Sequence, residues 1–275
     1  MKNSLIFVMF ACFGFAQANS EEDKRIISLS PHLSEIVFAL EQETYLVAVS
    51  DFSDYPYGQG CRTKICTQPL PSVSSYQGAD IASIVRLKPS IILAWEGGNK
   101  AQDLARLEQL GFTVYRSSPQ AFNDVITDIE RIGKLLNATQ QASKLTKQLT
   151  STLADLTQQY KDQNSTALYY MSQQPLSGVG NDRWINNLLA ICGIQNIYAD
   201  TASSFSQFSL ADIIRKQPSH IIAALSLPMK DIELFWAAHT DVFAPSIIKV
   251  NPDALHRFTP RVLPELAKLC KSVYL

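Results

Sequence analysis

Four histidines, His32, His220, His239 and His256, come first, because imidazole is the usual general base and metal ligand near neutral pH. They are scattered, with no H-x-x-x-H spacing and no histidine–carboxylate pairing. Neither G-x-S-x-G nor a P-loop occurs, and Gly178-x-Gly180 is too short for a dinucleotide fingerprint. The sequence therefore offers no constellation for covalent, acid–base or metal chemistry, and the expectation is a protein that is not an enzyme and carries no metal. Its loops instead carry aromatics: Phe52, Tyr55, Tyr57, Tyr76, Trp95 and Phe205. Broad apolar faces with occasional polar tips suit non-covalent capture of a large, flat, partly apolar ligand. One such ring as often plugs the surface; several on strand-end loops favour ligand contact. Asp253, Arg257 and Arg261 form a polar cluster before the last helix, whose plainer role is helix-end ion pairing.

The elements that must position these side chains are announced by a passage that occurs twice. Residues 81–94 read IASIVRLKPSIILA and residues 210–223 read LADIIRKQPSHIIA. Each copy is a short amphipathic helix stopped by a Pro-Ser step and followed by an apolar strand, the αβ half of a parallel-sheet unit. Two such copies predict two similar α/β lobes with a ligand cleft between them. Strands are expected at 25–30, 45–50, 112–118, 167–172 and 246–250, and a helix opening at Ser34-Glu35. Loops are expected at 52–60, at Gly178–Asn181 and at 201–208. The region from Phe122 to about Gln163 lacks proline and keeps helical apolar spacing, which predicts a helix to about Leu136 and a long one over 138–162. Further helices are expected at Trp184–Cys192, at 230–238 and from Thr259 or Pro260. The resulting division is 1–18 leader, 19–120 N-terminal lobe, 121–163 linking helices and 164–275 C-terminal lobe.

The leader reading rests on Lys2, the apolar run Leu5 to Phe15, and Ala16-Gln17-Ala18 as a cleavage site. It implies export, and an oxidising compartment changes how cysteines read. Cys12 goes with the leader, leaving Cys61, Cys66, Cys192 and Cys270, which permit three connectivities. Cys61 and Cys66 are close enough within GCRTKIC to close a small ring, which would leave Cys192 for Cys270. The same close pair also supports a rival reading as an exported redox protein. Hydrophobic content of 46%, charged content of 18% and a net charge of −1 describe a well-cored globular chain with no footprint for nucleic acid.

The pieces RIISLSPHLSEIVFA, VSDFSDYP, VSSYQGADI, RLKPSIILAWEGGN, AICGIQNIY and HRFTPRVLPELAKLC together resemble the cobalamin-binding periplasmic proteins of bacterial ABC importers, within the class III substrate-binding family. The resemblance covers essentially the whole chain after the leader. It implies two α/β lobes with central parallel-type sheets joined by a long interlobe helix, little closure, and a periplasmic monomer. It further implies that the chain captures a corrinoid (vitamin B12) without a cofactor of its own and delivers it to an ABC importer. Siderophore- and haem-binding proteins of the same fold share the LKP and R-x-x-PR marks and supply the alternative. The implied ligand contacts fall on Phe52, Tyr76, Trp95, Gly97 and Phe205, with polar contacts along Asp253, Ala254, Leu255, His256 and Arg257. Phe52 stands where that family has Tyr, and Tyr76 and Phe205 where it has Trp. The implied disulfide is Cys192–Cys270. The family's permease-docking glutamates are replaced here by Ala82 and Ala211, the same site in both copies of the repeat, with Asp80 and Asp212 nearby as substitutes.

Overall fold

The computed structural model describes residues 24–56, 70–238 and 241–275; the leader, Cys61, Cys66, Tyr57 and His239 lie outside them. In the first half the chain runs through β1 (Ile26–Ser28), α1 (Pro31–Ala39), β2 (Leu46–Ser50), β3 (Ser72–Ser75), β4 (Gly78–Ala79), α2 (Ile81–Leu87), β5 (Ile91–Trp95), α3 (Ala101–Gln109) and β6 (Val114–Ser117). These strands form one sheet in the order β4-β3-β2-β1-β5-β6, parallel except for the β3–β4 hairpin. Ile26, Ile27 and Leu93 are fully buried, as expected for strands covered on both faces by helices. Pro31 occupies the first turn of α1, where a missing N–H costs nothing, so this helix begins earlier than Ser34-Glu35.

Two helices follow, α4 (Phe122–Leu135) and α5 (Thr139–Tyr160). Val125, Ile129 and Ile132 of α4 and Leu149 and Leu156 of α5 are buried in one apolar core. That core also holds Leu33 and Ile36 of α1 and Tyr169 and Leu188 from the second half. The two halves are thus joined by shared side-chain packing as well as by helices.

The second half contains β7 (Ser165–Gln173), β8 (Leu176–Val179), α6 (Arg183–Ile191), β9 (Ile194–Asn196), β10 (Phe205–Gln207), α7 (Leu210–Lys216), β11 (His220–Ala223), α8 (Met229–Ala237), β12 (Ser246–Lys249), α9 (Pro252–Leu255) and α10 (Val262–Val273). Its sheet has the order β10-β8-β7-β11-β12, with β9 also pairing β7. β7, β9, β11 and β12 run parallel, and β8 and β10 are antiparallel additions at one edge. The duplicated passage becomes α2–β5 and α7–β11. Both helices end on a left-handed residue, Lys88 at φ 46° and Gln217 at φ 47°, so the two copies leave the helix by the same turn. Cys192, just after α6, is bonded to Cys270 of α10, closing a loop of 78 residues.

The structure corrects the loop assignments. Residues 176–179 and 205–207 pair as β8 and β10, and 72–79 forms a hairpin. The last helix starts at Val262, after a separate short turn, α9.

Candidate functional site

The carboxyl ends of β1, β2, β3 and β5 converge on one rim, where ligands of α/β sheets usually bind. Serines line it: Ser34 Oγ lies 3.0 Å from Ser28 Oγ and 3.2 Å from Ser53 Oγ, and Ser50 and Ser53 hydroxyls are 2.9 Å apart. All four are buried, so this hydroxyl net satisfies the polar groups where the strands stop. Asn99 ties three strand ends together. Its Oδ1 accepts from Trp95 N–H at 2.7 Å, and its Nδ2 donates to the Leu29 carbonyl at 2.9 Å and to Ser74 Oγ at 3.4 Å.

Trp95, half-buried, is fixed from several sides. A Cβ on Gly98 would lie 2.0 Å from the indole and one on Gly97 2.9 Å from its Nε1, so glycine lets the turn fold over the ring. His32 meets the indole edge-on at 5.6 Å, and Phe258 meets it at 5.5 Å. Phe258 also packs 4.7 Å from Trp184, whose Nε1 donates to the Leu255 carbonyl at 2.7 Å. A second-half phenyl ring therefore rests on a first-half indole. His32 is buried, with Nδ1 2.7 Å from Ser30 Oγ; burial and then the Arg257 charge lower its pKa to about 3, so it is neutral.

Three candidate aromatics are exposed. Tyr76 crowns the β3–β4 hairpin and is 84% exposed, Phe52 is 63% exposed and Phe205, on the outer strand β10, 56%. Phe52 adopts φ 61°, a left-handed conformation that a bulky side chain avoids and that costs on the order of 1–3 kcal/mol.

The polar segment is tied into a network of ion pairs. Arg257 Nη1 donates to Glu35 (2.9 Å) and Asp54 (2.7 Å), and Nη2 to Asp253 (3.2 Å). Arg261 adds two bonds to Glu35 at 2.7 and 2.6 Å and lies 4.3 Å over the Tyr55 ring. Glu35, only 3% exposed, is thus gripped by two arginines from the other half of the chain. Burial opposes the charge on Arg257, but its hydrogen bonds to Asp54 and Glu35 outweigh it and raise its pKa. Burial likewise raises Asp54, yet the Arg257 hydrogen bond and charge win and hold its carboxyl low. Ala254 and Leu255 are buried, and His256 pairs its Nε2 with the Tyr169 hydroxyl at 2.8 Å; burial lowers that imidazole's pKa. Only Asp253 in this segment offers a freely exposed polar side chain.

Sequence reasoning missed Glu35, Asp54, Trp184 and Phe258. Phe258 had a signal, since it lies between Arg257 and Arg261 in the HRFTPR piece.

On the repeat helices, Ala82 and Ala211 are both exposed in the first turn. Asp80 caps α2, accepting from Ser83 Oγ and from Ser83 N–H (3.0 Å). Asp212 accepts from the Tyr198 hydroxyl (2.8 Å) and from Arg215. Those bonds, Ser83 first for Asp80 and Tyr198 first for Asp212, lower both carboxyl pKa values.

With this geometry in place, likeness to known proteins becomes informative. The "Vitamin B12-binding protein" of Vibrio parahaemolyticus is 28% identical over 276 residues, covering 98% of this chain and 97% of that one. The crystal structure of the periplasmic vitamin B12 binding protein BtuF of Vibrio cholerae superposes with TM-score 0.79 at 31% identity, covering 91% of this chain and 96% of that one. The periplasmic heme binding protein HutB of Vibrio cholerae superposes with TM-score 0.76 but at 19% identity, covering 92% and 100%, and shares the fold alone. The twin α/β halves with their helical connection are the fold these structures have in common, and residues 26–235 match the family's pattern: the chain belongs to the periplasmic binding protein family.

Proposed function

We propose that this chain is a periplasmic substrate-binding protein that captures a corrinoid between two lobes, residues 19–120 and 164–275, bridged by the helices of 121–163. It hands the ligand unchanged to an ABC importer. The observation that carries the reading is the set of exposed aromatics Tyr76, Phe52 and Phe205, together with a Trp95 fixed by its neighbours, in a chain 31% identical to a vitamin B12 binder. Rings held at strand ends cover a corrin face with apolar area and little lost side-chain entropy. Gly97 lets the Trp95 turn approach closely, and Asp253 accepts hydrogen bonds from the ligand's amides.

Arg257 takes a different part from simple amide recognition. Held by Glu35 and Asp54, it fixes the spacing of the two lobes and presents its remaining edge to the ligand. Ala254, Leu255 and His256 face inward and act by holding Asp253 and Arg257 in place. On the outside, α2 and α7 form paired sites, and Asp80 and Asp212 there serve as the anionic marks for the permease. Equilibrium dialysis of the leader-free protein against cyanocobalamin and against haemin, read by visible absorbance, tests the reading. Retention of the corrinoid is expected; retention of haemin alone, or of neither, overturns it.

A further inference from the structure

Between the carboxyl ends of β11 and β12 lies a recess of about 340 Å³ lined by Leu225, Ser226, Lys249, Val250, Asn251 and Pro252. Leu225 and Val250 are buried and form its apolar base. Three polar groups stand around it. Lys249 Nζ and Ser226 Oγ make no hydrogen bond or ion pair among the described residues, and Asn251 spends only its Oδ1, on the N–H groups of Asp253 (3.0 Å) and Ala254 (3.4 Å). The Nδ2 of Asn251 is left as a donor. No carboxylate lines the recess among the described residues. Of the nearby acids, Glu265 accepts from Asn251 N–H (2.9 Å) and Lys268 (3.4 Å), and Asp253 pairs with Arg257 (3.2 Å) while staying exposed. The recess lies at the strand ends where α/β sheets meet ligands, two residues along the chain from Asp253.

We infer that this recess is an oxyanion subsite, in which Lys249, Ser226 and Asn251 take a phosphate or carboxylate oxygen carried by the bound ligand. One cation and two neutral donors, with no acid among the described lining residues, suit a group of single negative charge. The inference rests on the corrinoid reading and extends it to a preference among ligands. A complete corrinoid carries such a group in the phosphodiester of its nucleotide loop, and haem carries it in its propionates.

The test titrates wild type, Lys249→Gln and Ser226→Ala with cyanocobalamin, with dicyanocobinamide, which lacks the phosphodiester, and with haemin, each protein first shown to melt like wild type. Lys249→Gln is expected to weaken cyanocobalamin about threefold to tenfold, the scale of one partly exposed charge-assisted bond, and to leave cobinamide unchanged. Ser226→Ala follows with a smaller loss of the same selectivity, and the wild-type preference shrinks in high salt. Equal affinities in wild type and Lys249→Gln, or equal losses for both corrinoids, overturn the subsite while leaving the corrinoid reading standing. Loss confined to haemin, in a protein that ignores corrinoids, supports the subsite and overturns the corrinoid reading. Failure of wild type to bind any of the three overturns both.

Discussion

Replacing Glu35 with alanine removes an acceptor that bridges the two halves of the chain. Its carboxylate takes hydrogen bonds from Arg257 at 2.9 Å and from Arg261 at 2.7 and 2.6 Å, and its side chain is 3% exposed. Removing one partner of a buried ion pair costs about 3–5 kcal/mol, because the opposite charge is left without compensation. Here the lower end applies. Arg257 keeps Asp54 and Asp253, while Arg261 is 26% exposed, rests on Tyr55 and can turn to water. A loss of about 3 kcal/mol in a protein of this size lowers Tm by about 6–12 °C. Thermal melting followed by circular dichroism measures it, with Lys268→Ala as a reference. Lys268 is 76% exposed in its pair with Glu265, so its removal changes Tm little. A double-mutant cycle of Glu35→Ala with Arg261→Ala then isolates the pair, with a coupling of about 1–3 kcal/mol expected. The reasoning is refuted if Glu35→Ala melts within about 2 °C of Lys268→Ala, or if the two changes add without coupling.

Four further outcomes follow from the same geometry. Gly98→Ala places a Cβ where the Trp95 indole lies, so corrinoid affinity should fall at least tenfold while the secondary-structure content by circular dichroism stays the same; unchanged affinity contradicts the role given to that ring. Tyr76→Ala and Phe205→Ala remove exposed rings, and each should weaken binding about tenfold with Tm moved by no more than about 2 °C. A Cys192→Ser/Cys270→Ser protein loses a bond closing 78 residues and should be about 2–4 kcal/mol less stable in urea titration, with wild type falling by a similar amount under reductant. Acid acts through His32, whose pKa is held from 6.5 down to about 3, and His256, lowered by burial. The unfolded chain binds more protons below its own pKa, so the His32 contribution is present above pH 6.5 and drains away as pH falls toward 3, by up to about 1.4 kcal/mol per pH unit, and His256 acts in the same direction. Urea midpoints from pH 7 to 4 check this, and His32→Gln should flatten the slope.

The αβ repeat was legible because both signals are local. Apolar runs such as IILA and HIIA mark buried parallel strands, and the Pro-Ser step marks where each helix stops. The edge strands were not. LSGV and FSQ mix small, polar and aromatic residues, and they are strands only because β7 and β8 offer them free edges to pair with. SVSSYQGA carries almost no apolar alternation, so the hairpin that lifts Tyr76 came as a finding. The charged bridge was hidden for a different reason. Asp253–Arg257 is a local pairing that helix spacing suggests, whereas Glu35 meets Arg261 across 226 residues of sequence, which only the packed fold brings together. The buried serines at the strand ends likewise read as ordinary loop residues until the hydroxyl net linked them.

Calorimetric titration of the leader-free protein with cyanocobalamin bears most directly on the central claim. One corrinoid per chain, bound at roughly micromolar or tighter and weakened by Tyr76→Ala, is the expected outcome. Absence of heat over that range, together with an unchanged Tm at saturating corrinoid, would contradict it.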